Sequence, residues 1–383
     1  MTPVPHARKH ALVLTGGGAR AAYQVGALKA IAELMKFDGC PFQIISGYSA
    51  GAINGVWLAS RCESFAEATQ GMWDQWANLK TEKIFKTDAP NFFMIGLRWL
   101  KDRSLGGATG EKQITYLLNT EPLRKFINEQ INFNNIKRHI EAGTLQGLSV
   151  TAANYNSGYS TTFFSTPDGV QEWSNFNRVG VRTDITAEHV MASAAIPIFF
   201  PPVQLNGAFY GDGMVRLGSP LSSAIRMGAD KMLVIGVRGV SAHPELPSQQ
   251  HFKTVSISEI AGTILNGLFL DSLESDLQRM ERVNRTLSLM TEDELGRQKD
   301  HLRAIPVLSL RPSKEVSNLS ACESESLPST LRFLLRGIGM RDGKGSDLLS
   351  YLSFEPEYMQ SLLRLGFEDT MAREQEIRDF FKD

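Results

Sequence analysis

Near its start the chain twice writes an apolar run, a cluster of small residues and then a helical period. "HALVLT" leads into "GGGARAAYQVGALKAIAELM", and "FQIISG" leads through Tyr48 and Ser49 into "AGAINGVWLAS". A short apolar run bounded by turn residues reads as a buried strand, and Tyr23, Ala27, Ala30 and Leu34 behind the glycines recur at helical spacing. Later strand runs are "LQGLSVTAANY", "STTFFST", "GAFYGDG" and "KMLVIGV", with a short helix over "HVMASAAIPIFF" closed by Pro197. Such alternation constrains the chain to an α/β layered fold with a largely parallel sheet.

A length of 383 residues allows one large domain or two smaller ones. Residues 238–253, polar and carrying two prolines, form the natural boundary, and 311–329 is a second loop-like stretch. Between them lies an amphipathic helix or pair of helices, and "AIPVLSLRP" reads as a late strand returning to the sheet. The expected organisation is a main domain over 8–240 and a mostly helical extension over 241–383 packed on it. Forty basic against forty-one acidic side chains leave no electrostatic footprint for nucleic acid. Cys40, Cys62 and Cys322, odd in number and widely spaced, suit a reducing compartment and small buried thiols, with no zinc pattern. "ALVL" is too short for a signal-peptide core, and no stretch approaches the ~18 apolar residues of a spanning helix. The expected location is cytoplasmic, with peripheral membrane contact allowed.

Three places carry chemistry. In Gly47-Tyr48-Ser49-Ala50-Gly51 a serine sits between a strand and a helix, where a tight turn lifts its hydroxyl clear of both. A β-carbon at Gly47 or Gly51 is expected to strike neighbouring backbone, and the dipole of the following helix favours negative charge near the serine. Gly16, Gly17 and Gly18 expose backbone N–H groups that lack helical partners, an anion site open to two readings. One is a dinucleotide phosphate cradle, for which Gly16-x-Gly18 followed by Ala21 is a tolerable match. That reading also needs an acidic residue at the end of the second strand, where "SGYSAG" stands instead. The other is an oxyanion hole for acyl transfer. Arg20 is badly placed beside a helix N-terminus unless it steadies the loop or meets an anion; otherwise it is a solvated side chain. Asp212 lies between Gly211 and Gly213 at a strand end, which taken alone marks only a turn.

The glycine triplet with Ala19-Arg20, the Ser49 elbow, "ASAAIPIFFPPV" and "GDGM" stand in the order and rough spacing of the patatin-like phospholipases. Over about residues 10–240 the chain resembles that family, and "GSDLLSYLSFEPEYMQSLLRLGFEDT" resembles the end of some bacterial members. The resemblance implies a three-layer α/β/α fold and a Ser49–Asp212 dyad, with Gly16, Gly17 and Gly18 as the oxyanion loop and Arg20 as the arginine that follows it. No cofactor and no metal is expected. Met214 departs from the small residue usual after Asp-Gly, and could narrow the site, reorient the loop or change nothing.

A serine hydroxyl needs a base, and none of the seven histidines obviously supplies one. His189, opening the helix before "MASAAIP", is the nearest candidate, against an ordinary packing role. The expectation is that Asp212 takes the Ser49 proton directly and that water hydrolyses the acyl-enzyme. Residues 91–103 and 327–340 interleave apolar and basic side chains, which suits a lipid interface as well as a packed amphipathic helix. Together with the resemblance, these segments favour an acyl-lipid or phospholipid ester as the expected substrate. The alternatives are acyl transfer to another acceptor, a catalytically weak lipid-associated interaction protein, and a nucleotide- or flavin-binding module.

Overall fold

The computed structural model describes residues 8–86, 116–167, 169–239, 255–297, 302–319, 327–337, 339–340 and 345–382. Its first strand, β1 (His10–Leu14), is buried on both faces from Ala11 onward, as an uninterrupted apolar run in a parallel sheet requires. Alternate side chains leave it in opposite directions. Leu12 and Leu14 enter the larger core, whereas Ala11 and Val13 enter a second one with Ala224, Met227 and Val234. Two cores on two faces of one sheet make the three-layer α/β/α architecture that the sequence implied.

In chain order β1 is followed by α1 (Ala22–Met35), β2 (Ile44–Tyr48), α2 (Ala50–Ala59), α3 (Phe65–Ala77), α4 (Glu121–Gln130), α5 (Phe133–Glu141), β3 (Gly147–Asn154), β4 (Ser160–Ser165), β5 (Trp173–Asn175) and β6 (Arg178–Arg182). Then come α6 (Ala187–Ser193), β7 (Val203–Leu205), β8 (Ala208–Asp212), α7 (Ser222–Arg226), β9 (Lys231–Ile235), α8 (Ile257–Ser288), α9 (Glu292–Arg297) and β10 (Val307–Leu310). The tail holds α10 (Ser329–Gly337), α11 (Ser346–Leu352), α12 (Pro356–Met371) and α13 (Glu374–Phe381). Among the described residues the sheet order is β10-β9-β1-β2-β3-β4-β6-β5, and the first five of these strands run parallel. "AIPVLSLRP" does return to the sheet, as β10 beside β9. The amphipathic stretch after residue 256 is one helix, opened by a capping box in which Ser256 and Glu259 satisfy each other's backbone N–H.

The tail is bolted to the first helix of the chain. A β-carbon on Gly26 of α1 would lie 2.0 Å from the Leu363 carbonyl oxygen, and one on Gly366 of α12 would lie 2.1 Å from that of Tyr23. Only a reciprocal pair of glycines lets these two backbones approach so closely.

One detail of register positions the site. On one edge β3 runs beside β2, and its Thr151 pairs with Tyr48, the last residue of β2. The next residue, Ala152, pairs with Asp212 of the antiparallel strand β8. Strand β8 thus takes the edge that β2 vacates where its chain turns away, bringing residue 212 beside residue 49.

Candidate active site

Ser49 sits in the turn between β2 and α2 with φ 55° and ψ −133°, a conformation that costs a non-glycine residue about 1–3 kcal/mol. The turn is crowded, as expected. A β-carbon on Gly47 would fall 2.4 Å from the Gly51 carbonyl oxygen, and one on Gly51 would fall 2.3 Å from that of Leu14. The Ser49 hydroxyl donates to Asp212 Oδ2 at 2.6 Å. Asp212 Oδ1 accepts the Met214 N–H at 3.0 Å, and the Asp212 N–H donates to the Ala195 carbonyl at 2.9 Å.

Asp212 is completely buried, and that desolvation raises its pKa from 3.8 to about 7, against the opposing pull of the hydrogen bonds from Ser49 and Met214. A carboxylate poised there accepts and returns a proton near neutral pH. Burial pushes the Tyr48 and Tyr155 hydroxyls upward, and nearby charge adds to it, from Asp276 and then Asp212 at Tyr48 and from Asp212 at Tyr155.

The glycine triplet is buried at the end of β1, and Gly18 opens a 3₁₀ turn spanning Gly18–Ala21. Gly18 has φ 54°, and a β-carbon there would lie 2.3 Å from the Tyr351 carbonyl oxygen. The N–H groups of a first helical turn have no intrahelical acceptor. Arg20 is not solvated. It is fully buried, donates from Nε to Ser350 Oγ at 2.8 Å, pairs through Nη2 with Asp347 Oδ1 at 3.2 Å, and lies 4.1 Å from the centre of the Tyr351 ring. Its backbone N–H closes the turn onto Gly17 O at 3.1 Å. The side chain therefore fastens the glycine loop to the tail helix α11.

Gly18 and Ser49 line one narrow cleft, walled by Ile53, Trp76, Leu79, Leu123, Phe200 and Phe354. Its walls are almost wholly apolar, so it suits a hydrocarbon chain better than a charged ligand. Met214 is buried and lies outside this lining, so its bulk does not narrow the cleft. His189 packs edge-on against Phe163 at 4.5 Å and accepts the Thr186 N–H at Nδ1, 3.1 Å away. Burial lowers its pKa to about 4. Among the described residues no histidine hydrogen-bonds to Ser49 or Asp212.

Of the two basic-apolar segments, 91–103 lies outside the described residues. Within 327–340, Leu331 and Leu335 are buried in the core, while Phe333 is 80% exposed and Arg336 is exposed. That helix packs, and one aromatic is left facing solvent. Cys62 is buried and Cys40 half-buried, both as free thiols; Cys322 lies outside the described residues. Two residues that no sequence motif assigns also belong to the site: Ser193, whose hydroxyl touches the Ser49 backbone, and Phe354, a cleft wall from the tail. Ser193 stands as the single hydroxyl in "ASAAIP", which marks the residue but not its partners.

The Patatin-like phospholipase family matches residues 12–225, more than half of the chain, and the chain belongs to that family. It is 31% identical over 156 residues to "Lysophospholipase nte1" of Aspergillus terreus, a match taking in 37% of this chain and 9% of the relative's length. Among solved structures it is similar to human GIVD cytosolic phospholipase A2 in complex with methyl gamma-linolenyl fluorophosphonate, at 15% identity and a TM-score of 0.44, over 97% of this chain and 59% of that one. It is also similar to VipD from Legionella pneumophila, at 13% identity and a TM-score of 0.34, over 96% of this chain and 67% of that one. Among the described residues no helix is long and apolar enough to cross a membrane.

Proposed function

We propose that the protein is a serine acyl hydrolase that cleaves fatty-acyl esters of lipids through a Ser49–Asp212 dyad. The observation that carries this reading is the 2.6 Å contact from the Ser49 hydroxyl to a buried carboxylate whose pKa is raised to about 7. Family membership and the apolar cleft support an acyl-lipid substrate. The phospholipase and lysophospholipase names of its relatives suggest the ester of a phospholipid or lysophospholipid.

In this reading Asp212 takes the proton from Ser49 Oγ as that oxygen attacks the ester carbonyl carbon. The carbonyl oxygen becomes an oxyanion held by N–H groups of the Gly16–Gly18 loop, an interaction worth roughly 3–4 kcal/mol per donor in comparable sites. The tetrahedral intermediate collapses by breaking the bond to the alcohol oxygen, which leaves with the proton from Asp212. Water then attacks the acyl-serine, giving its proton to Asp212. Ser49 departs from the second intermediate by taking that proton back, and the fatty acid is released. Arg20 acts at a distance by fixing the loop to α11, so its part in the oxyanion hole is to hold the backbone donors in place. Residues 8–240 form the catalytic body, and the 241–383 extension supplies Phe354 and the partners of Arg20.

The test compares wild type, Ser49→Ala and Asp212→Asn on a short-chain p-nitrophenyl ester and then on phospholipid vesicles. Loss of turnover in both variants, with circular dichroism unchanged, supports the dyad. Full activity in either variant would overturn it.

A further inference from the structure

Ser193 is the last residue of α6, and its side chain is fully buried. Its Oγ accepts the Ser49 N–H at 2.9 Å and donates to the Thr151 carbonyl at 2.6 Å. The sheet explains why a hydroxyl is needed there. Tyr48 is the last residue of β2 paired with β3, and beyond it the edge of β3 belongs to β8. The N–H of Ser49 therefore leaves the ladder at the point where the chain turns, inside the protein, with no strand carbonyl opposite. A buried backbone donor left unpaired is costly. Ser193 fills the break, bridging the Ser49 N–H to the Thr151 carbonyl that a continuing strand could have used. Two residues on, the Ala195 carbonyl accepts the Asp212 N–H at 2.9 Å. One short segment thus grips the backbone of both residues whose side chains meet at 2.6 Å.

We propose that Ser193 is a positioning residue for the nucleophile, its hydroxyl setting where Ser49 Oγ stands relative to Asp212. The proposal rests on the dyad reading and adds to it. Ser193 touches neither reacting oxygen. It acts through the strained Ser49 backbone, which without this tie can relax and carry Oγ out of line with the carboxylate. A misplacement of about 1 Å in a reacting group can cost about a hundredfold in rate.

The experiment measures the rate at which an alkyl fluorophosphonate labels Ser49, with kcat and KM on a p-nitrophenyl ester, in wild type, Ser193→Ala, Ser193→Thr and Ser193→Cys. Ser193→Ala is expected to lower kcat and the labelling rate about ten- to a hundredfold with KM changed less than about threefold. Ser193→Thr, which keeps the hydroxyl, recovers most of the rate, whereas Ser193→Cys, with its weak hydrogen bonding, does not. Adding Ser193→Ala to Asp212→Asn is expected to slow labelling little further, because the tie acts through the dyad. A merely structural serine would lower the melting temperature and leave the labelling rate of the folded fraction unchanged, which overturns the proposal. Where Ser193→Ala does not fold, equal labelling of the Thr and Cys variants overturns it and a faster Thr variant supports it. A wild type that does not label at Ser49 removes the dyad reading itself and this proposal with it, whereas a labelled wild type matched by Ser193→Ala removes only the latter.

Discussion

In the proposed dyad, Asp212 ties activity and stability to the same proton, in opposite senses. Burial raises its pKa from 3.8 to about 7, so between those values the folded protein holds a proton that the unfolded chain has released. The unfolded state then binds fewer protons, and stability falls as pH rises. The stabilisation is fully present below about pH 4 and lost through pH 7. At 1.36 kcal/mol per pKa unit the loss is about 4 kcal/mol for this completely buried group. Catalysis needs the ionised form, so kcat/KM is expected to rise with pH and reach half its plateau near pH 7. Tyr48 and Tyr155 stay neutral across this range, since burial and the Asp212 charge both push them upward. The assay is urea unfolding of wild type and Asp212→Asn from pH 4 to 8.5, beside the pH profile of kcat/KM. Other titrating groups cancel in the comparison, so wild type should lose about 4 kcal/mol relative to the variant across the window. Parallel stability curves, or a kcat/KM midpoint near pH 4, would refute the reasoning.

Three further outcomes follow from the same geometry. His189→Ala should lower stability by about 1 kcal/mol through loss of the capping contact at Thr186, and leave the pH profile of kcat/KM where it is, as read by thermal unfolding and kinetics. Phe354→Ala should open the cleft and shift preference toward longer or bulkier acyl chains, measured as the ratio of kcat/KM on long and short p-nitrophenyl esters, at a cost of about 3–5 kcal/mol in stability. Asp347→Asn leaves the buried Arg20 guanidinium without its anion, so it should lower the melting temperature and reduce kcat more than it raises KM.

What the sequence showed and hid follows from the range of the interactions. Strands β1 and β9 carry the unbroken apolar runs "ALVL" and "MLVI" because both faces of each are covered, and such runs are legible without any partner, whereas β2 and β3 are also buried but include Ser46, Gly47, Ser149 and Thr151. The Ser49 elbow is legible from its local pattern, since Gly47 crowds the Gly51 carbonyl four residues on, although Gly51 itself crowds Leu14 on the neighbouring strand. Strands β5 and β7, "WSN" and "VQL", are three residues each, too short for any periodicity to mark them. Arg20 looked misplaced because its anion, Asp347, lies 327 residues away. Ser193 was invisible as a tie because its partners are 144 and 42 residues distant, at a junction that exists only once β2, β3 and β8 have been laid side by side. From sequence the long helix α8 reads as one helix or two because its glycines and charges interrupt the apolar stripe, while its capping box fixes where it starts.

The central claim is that Ser49 is a nucleophile activated by Asp212, and intact-mass spectrometry after treatment with an alkyl fluorophosphonate tests it most directly. The account expects a single adduct, mapped to Ser49 by peptide sequencing, absent from Ser49→Ala and formed at least about a hundredfold more slowly in Asp212→Asn. An adduct on another residue, or labelling of Asp212→Asn at the wild-type rate, would contradict it.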